Sequence, residues 1–173
     1  MTTSCEFTTA DLWDIHHETV KMIPVEFRSY GGISRFSGQT VTLATADDHD
    51  AVRGILEKQG HGRILFIDCE GEVAIAMIGD RLASLACAND WAGVIVHGAV
   101  RDCEALARID IAVLALRTTA MRSFARTAVH RCGETITVGG VAVAEGGWIY
   151  ADQDAILVSA LPLLASSACR DAR

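Results

Sequence analysis

Lysine is nearly missing from this chain: only Lys21 and Lys58 occur among 173 residues. Lys58 falls on the polar face of an expected helix and Lys21 near a helix end. Schiff-base catalysis needs a lysine held away from water, so that route has no good candidate. The six cysteines (Cys5, Cys69, Cys87, Cys103, Cys132, Cys169) form no CxxC pair, and no histidine stands at zinc-finger spacing. They read as ordinary thiols of a reducing compartment. No apolar run approaches the ~20 residues of a membrane span; the late "AILVSALPLLASSA" is broken by Ser159 and Pro162. The start "MTTSCEFTTADLWDIHHE" lacks the basic-then-apolar profile of a secretory signal. There is no GxGxxG after a strand and no Walker-type motif, so nucleotide binding has little support. Positive charge is also scarce, 15 Lys and Arg against 22 Asp and Glu for a net charge of -7, which argues against nucleic acid as a main partner. The expectation is a cytoplasmic protein without membrane or nucleic-acid contacts.

What is present is a full core. Half of the residues are hydrophobic and 21% charged, and the length suits one domain over residues 1–173, burying roughly 70% of its unfolded surface. "TADLWDIHHETVKMI" predicts one or two helices in the first thirty residues, with Thr9 or Asp11 as N-cap. "QTVTLAT" predicts a strand, "DDHDAVRGILEKQG" a helix stopped by Gly60, and "RILFID" and "VAIAMI" two further strands. The last third, "ETITVGGVAVAEGGWIYADQDAILVS", reads as short strands between Gly-rich turns. The chain is therefore α/β in its middle with an added β-rich portion.

The segment "GDRLASLACANDWAGVIVHGAVRDCE", residues 79–104, carries the chemistry. Asp80 follows one expected strand, "GVIVHG" forms the next, and Arg101-Asp102 follows that, ahead of an expected helix in "RDCEALARI". If the two strands are parallel neighbours, the right-handed crossover rule puts Gly79-Asp80 and Arg101-Asp102 on one carboxyl edge, where open α/β sheets hold ligands. Arg101 can grip a carboxylate with two parallel hydrogen bonds. Asp80 and Asp102 offer hard oxygens to Mg²⁺ or Mn²⁺. A divalent cation beside an arginine suits a 2-oxo acid, since it polarises the keto oxygen and stabilises the enolate left when a C–C bond breaks. The competing explanation is plain: Asp is a preferred N-cap, so both acids could cap helices, with Arg101 merely paired to one of them.

Other polar residues offer less. His16 and His17 are adjacent, and on a helix they point in different directions. His97 precedes the Gly98 turn and reads first as a structural hydrogen-bond partner, second as a proton carrier. His130 has no reading. Ser34 and Ser37 lack a His/Asp context and read as turn residues. Trp91 and Trp148 read as core or subunit-contact anchors.

The same residues carry a resemblance. "GDRLASLACANDWAGVIVHGAVRD" resembles the signature of the RraA-like family, an Asp, twenty residues, then Arg-Asp. "SYGGISRFSGQTVTL", "GRILFIDCEGEVAIAMIGD", "IDIAVLAL" and "ITVGGVAVAEGGWIYADQDAILVS" resemble it in the same order, over about residues 8 to 160. The resemblance implies a swivelling β/β/α fold, a homotrimer with active sites at subunit boundaries, and a metal-dependent pyruvate aldolase. Such an enzyme cleaves 4-hydroxy-4-methyl-2-oxoglutarate-type substrates and also decarboxylates oxaloacetate. It implies that Gly79, Asp80, Arg81 and Leu82 cradle the small 2-oxo acid, that Arg101 binds its carboxylate and keto group, and that Asp102 holds Mg²⁺ or Mn²⁺, with Asp80 assisting through water. Longer aldolases add an acid from a neighbouring subunit's tail; here "LPLLASSACRDAR" offers only Asp171. The family also contains regulators that act by binding ribonuclease E and carry a different residue after the arginine.

Overall fold

Strand parity sorts the core into two halves. In the computed structural model, which describes residues 7–124 and 129–164, Leu65, Ile67, Val94, Val96, Val113 and Ala115 face one cluster. Their alternates Ile64, Phe66, Ile95, Ala112 and Leu114 face another. Both sets are buried, which is why these strands read as continuous apolar runs rather than alternating ones.

The elements follow in order: α1 (Thr9–His16), β1 (Lys21–Met22), β2 (Arg28–Ser29), β3 (Phe36–Ala44), α2 (His49–Leu56), β4 (Ile64–Asp68), β5 (Ala76–Ile78) and α3 (Asp80–Ala88). Then come β6 (Gly93–Val100), α4 (Cys103–Leu106), β7 (Ala112–Thr118), β8 (Arg131–Cys132), β9 (Ile136–Val138), β10 (Val141–Val143), β11 (Trp148–Ala151) and β12 (Ile156–Ser159). β3, β4, β6 and β7 are parallel neighbours, and β5 runs parallel to the far end of β6. β11, β12 and β1 extend the sheet antiparallel beyond β3, and β2 closes its other side against β7. Val52 and Leu56 of α2, Ala83 and Ala86 of α3, and Leu106 of α4 pack on the first face. Ile136, Val138 and Val143, from the separate β9–β10 ladder, pack on the second. The layering is thus small sheet, large sheet, helices, the mixed α/β arrangement expected. Among the described residues no helix is long and apolar enough to cross a membrane.

Three local expectations need correction. The first helix stops at His16 instead of running toward Ile23, and its N-cap is Thr8, whose side chain accepts from Asp11 N–H. Pro24 disfavours helical backbone at Ile23, and Ile23 instead donates its N–H to Ile156 O and is buried. Tertiary pairing overrides the helical spacing. The second helix ends at Leu56, before Gly60. Gly60 is needed for another reason: a Cβ there would stand 2.6 Å from Trp91 Cγ. The helix after Arg101-Asp102 spans only Cys103–Leu106.

Trp91 is buried, its Nε1–H donating to Lys58 O at 3.0 Å. Trp148 stacks on Tyr150 with ring centroids 6.4 Å apart. Cys69, Cys87, Cys103 and Cys132 are free thiols; Cys5, Cys169 and Asp171 lie outside the described residues.

Candidate active site

The corner between β5 and β6 is built by one backbone bond and one glycine. Arg101 N–H donates to Ile78 O at 3.0 Å, which sets the end of β6 beside the end of β5. Gly79 follows Ile78 and is the N-cap of α3. A Cβ on Gly79 would stand 2.5 Å from Asp102 Oδ2, 3.4 Å from Arg101 Cγ and 3.5 Å from Arg101 Nε. The two turns therefore meet, as the parallel-strand condition required, and only glycine leaves room for the carboxylate between them.

Asp102 occupies the N-cap position of α4 but makes no side-chain cap hydrogen bond. Its backbone is left-handed, φ 61° and ψ 41°, a conformation that Asp tolerates better than most residues yet still adopts at a cost. The cap explanation thus fails for Asp102. The ion-pair explanation holds only loosely: Arg101 Nε lies 3.4 Å from Asp102 Oδ2, with both side chains more than a third exposed. The Nη1 and Nη2 groups of Arg101 make no hydrogen bond among the described residues. One edge of the guanidinium is therefore free for an incoming carboxylate.

Asp80 is the first residue of α3 rather than its cap. Its Oδ1 accepts from Arg81 N–H at 2.8 Å. Leu82 is half-buried and packs against the helix-side core, while Arg81 is exposed. The first turn of α3 begins at the corner with a glycine cap, which makes no side-chain cap bond. Its dipole favours negative charge there. Among the described residues no group of three His, Cys, Asp or Glu is placed to hold a metal ion. Asp80 and Asp102 stand on the two adjoining turns.

Residues 119–124 had no assigned place in the sequence reading, yet they border this corner. Thr119 N–H donates to Val100 O and Met121 O accepts from Ala76 N–H. Further along, Met121 and Phe124 are exposed at 58% and 82%, and Ser123 Oγ–H donates to Asp47 Oδ2 at 3.2 Å, just ahead of α2. Nothing in the local periodicity signals this, because the segment is irregular.

His97 lies on β6 opposite Asp68 of β4, its Nδ1 3.0 Å from Asp68 Oδ1. That hydrogen bond holds the Asp68 carboxyl below its ordinary range, against partial burial. His97 is thus a structural partner, as its first reading had it. Burial pushes the neighbouring Cys69 thiol up to about 12, so it stays protonated and inert. His130 pairs with the buried Asp48, Nδ1 to Oδ2 at 2.8 Å. Burial pushes the Asp48 carboxyl up, but bonds from Ala51 N–H and His130 outweigh it and hold it low. His16 and His17 end α1, far along the chain from the corner.

Comparison with known proteins agrees with this architecture. Residues 9–158 match the model of the RraA-like family, described as Aldolase/RraA. A candidate 4-hydroxy-4-methyl-2-oxoglutarate aldolase of Aromatoleum aromaticum is 41% identical over 159 residues, covering 92% of this chain and 99% of its own. The solved structure of the RNA-processing inhibitor RraA from Thermus thermophilis superposes with a TM-score of 0.86 at 38% identity, covering 93% of this chain and 97% of its own. A Geobacillus kaustophilus structure described as an S-adenosylmethionine:2-dimethylmenaquinone methyltransferase gives 0.86 at 34% identity, covering 91% and 97%. Three descriptions on one fold leave the activity to be argued from the corner itself. The chain belongs to the RraA-like family.

Proposed function

We propose that this protein is a divalent-metal-dependent lyase that releases pyruvate from small 2-oxo acids. It would do so by retro-aldol cleavage of 4-hydroxy-4-methyl-2-oxoglutarate-type substrates and by decarboxylation of oxaloacetate. The observation that carries the reading is the Asp102 carboxylate, held against Gly79 and beside Arg101 and spent on no helix cap. The candidate aldolase relatives at about 40% identity support it.

In this reading the free Nη edge of Arg101 binds the substrate carboxylate and faces the keto oxygen, where negative charge grows as the C–C bond breaks. In the first turn of α3, Gly79 to Leu82, the N–H groups other than that of Arg81, which donates to Asp80 Oδ1, orient the same end of the molecule. The fixed backbone bond between Arg101 and Ile78 keeps the two binding groups in register, so little order is lost on binding. In the aldol substrate the bond electrons move to the carbon next to the keto group, which then takes a proton, while the C4 hydroxyl loses one. In oxaloacetate the same carbon is left as carbon dioxide departs.

The donor set fits a hydrated hard cation. Mg²⁺ and Mn²⁺ are held by one or two carboxylates with water and substrate oxygens completing the shell, and Asp102 supplies such a carboxylate, with Asp80 on the adjacent turn. When bound, the cation supplies Lewis-acid polarisation of the keto group. A homotrimer with its sites at subunit boundaries completes the reading.

The test is pyruvate release from oxaloacetate and from 4-hydroxy-4-methyl-2-oxoglutarate with Mg²⁺ or Mn²⁺. No release beyond a metal-only control from either substrate would sink the enzyme. A second reading has its own support in the Thermus thermophilis inhibitor: a non-catalytic regulator that binds ribonuclease E. It requires a complex that persists in Asp102→Ala, which co-purification decides.

A further inference from the structure

A cavity lies away from the Gly79–Asp102 corner, near the amino-terminal edge of the parallel strands. It has a volume of about 300 Å³. Arg63 and Trp91, which line it, stand just ahead of β4 and β6, whereas Asp80 and Arg101 follow β5 and β6.

Its surface is divided. Val41 of β3, Ile55 of α2 and the indole of Trp91 supply apolar walls. Lys58, Arg63 and Glu145 supply charge, two cations against one carboxylate in a chain whose net charge is -7. Neither cationic group is paired with a carboxylate among the described residues. Arg63 donates from Nε to Gly60 O and from Nη2 to Gln59 O, both at 2.8 Å, and lies 5.4 Å from the Trp91 ring centroid. Those contacts fix the guanidinium while leaving Nη1 unbonded among the described residues. The indole is fixed in turn by its bond to Lys58 O. Glu145 is tied back, its Oε2 accepting Thr42 N–H at 2.7 Å and Thr42 Oγ1–H at 3.0 Å.

We propose that this cavity is a second ligand site, for a small amphipathic carboxylate. The anionic group would sit toward Lys58 and Arg63, with an apolar body against Val41, Ile55 and Trp91. Apolar walls with a few placed polar groups are the usual make-up of a small-molecule site, and charge-assisted bonds to Lys and Arg are the strong ones. The inference goes beyond the lyase reading and does not rest on it.

Cys132 lines the cavity, so its alkylation by iodoacetamide, read by peptide mass spectrometry on the full chain, reports occupancy. Cys103, next to Asp102, reports the other site. Benzoate is the probe, with acetate (charge without body) and benzyl alcohol (body without charge) as comparisons. Burial pushes the Cys132 thiol up, Glu145 adds to that and Lys58 opposes it; each protein is therefore compared with its own ligand-free rate. The expected result is saturable slowing of Cys132 alkylation by benzoate, about threefold or more, with Cys103 unaffected and the two comparison compounds weaker. Lys58→Met should raise the half-protecting concentration about fivefold or more. Saturation-transfer NMR on benzoate gives the same wild-type and Lys58→Met comparison without the thiol. No binding by either readout up to about 20 mM, equal protection by acetate, or an unchanged Lys58→Met variant would overturn the proposal.

Discussion

A methyl group on Gly79 would stand 2.5 Å from Asp102 Oδ2, closer than any real carbon–oxygen contact. The backbone of Gly79 is extended, φ -135°, so any residue could adopt it; the glycine is required by the neighbour and not by the turn. Gly79→Ala should therefore fold and yet displace the Asp102 carboxylate. We expect a fall in kcat/KM for oxaloacetate of at least about tenfold, near 1.4 kcal/mol, with the circular-dichroism spectrum unchanged. Wild-type kinetics would mean that the position of this carboxylate does not matter.

Asp102→Asn removes the charge while keeping a side chain that caps a helix and tolerates left-handed backbone equally well. The variant should therefore unfold within about 0.5 kcal/mol of wild type in urea. Its kcat/KM should drop by about 100-fold or more, equivalent to about 2.7 kcal/mol. Retained activity in a folded Asp102→Asn would mean that the charge of Asp102 takes no part in the reaction.

Chelation should act on activity alone. Excess EDTA is expected to abolish pyruvate release and Mn²⁺ to restore it, while the folded signal stays constant. Mn²⁺ binding, followed by water-proton relaxation, should tighten in the presence of pyruvate and weaken in Asp102→Ala. Activity that survives exhaustive chelation would remove the cation from the reaction.

Acid stability should depend on Asp152, far from the corner. Its carboxylate accepts Thr9 N–H at 2.7 Å and Thr9 Oγ1–H at 2.6 Å, fastening α1 to the turn between β11 and β12. Burial pushes this carboxyl up, but the Thr9 bonds outweigh it and hold it low. A lowered carboxyl stabilises the fold above its ordinary range, and that contribution is lost as pH falls through the lower folded value. Asp152→Ala should cost about 1–3 kcal/mol at pH 7 and progressively less as pH falls below the ordinary Asp value of about 3.9. An equal difference across that range would show that the bond's ionised form contributes nothing.

Much of this molecule could be read from residue order. "RILFID" and "GVIVHG" are apolar on both faces, which calls for a sheet covered on both sides, and Asp48 with Val52 and Leu56 specifies a capped helix. The resemblance in residues 79–102 marked Gly79, Asp80, Arg101 and Asp102 before any geometry was available. Where long-range pairing competed with local pattern, the local pattern lost. Helical spacing near residue 20 gave way to the Ile23–Ile156 bond and to Pro24, and His130 acquired a partner 82 residues away, Asp48.

Sequence by itself determined the parity of the strands, the acidic, lysine-poor surface and the residue types at the two turns, because these follow from local periodicity and composition. Only the tertiary structure decided that Asp102 turns left-handed, leaves its helix uncapped and aims its carboxylate at Gly79. That outcome depends on Ile78 O holding Arg101 N–H, a contact between parallel strands separated by a whole helix. Backbone bonds of that kind are fixed by the packing of the sheet, which no window of neighbouring residues contains.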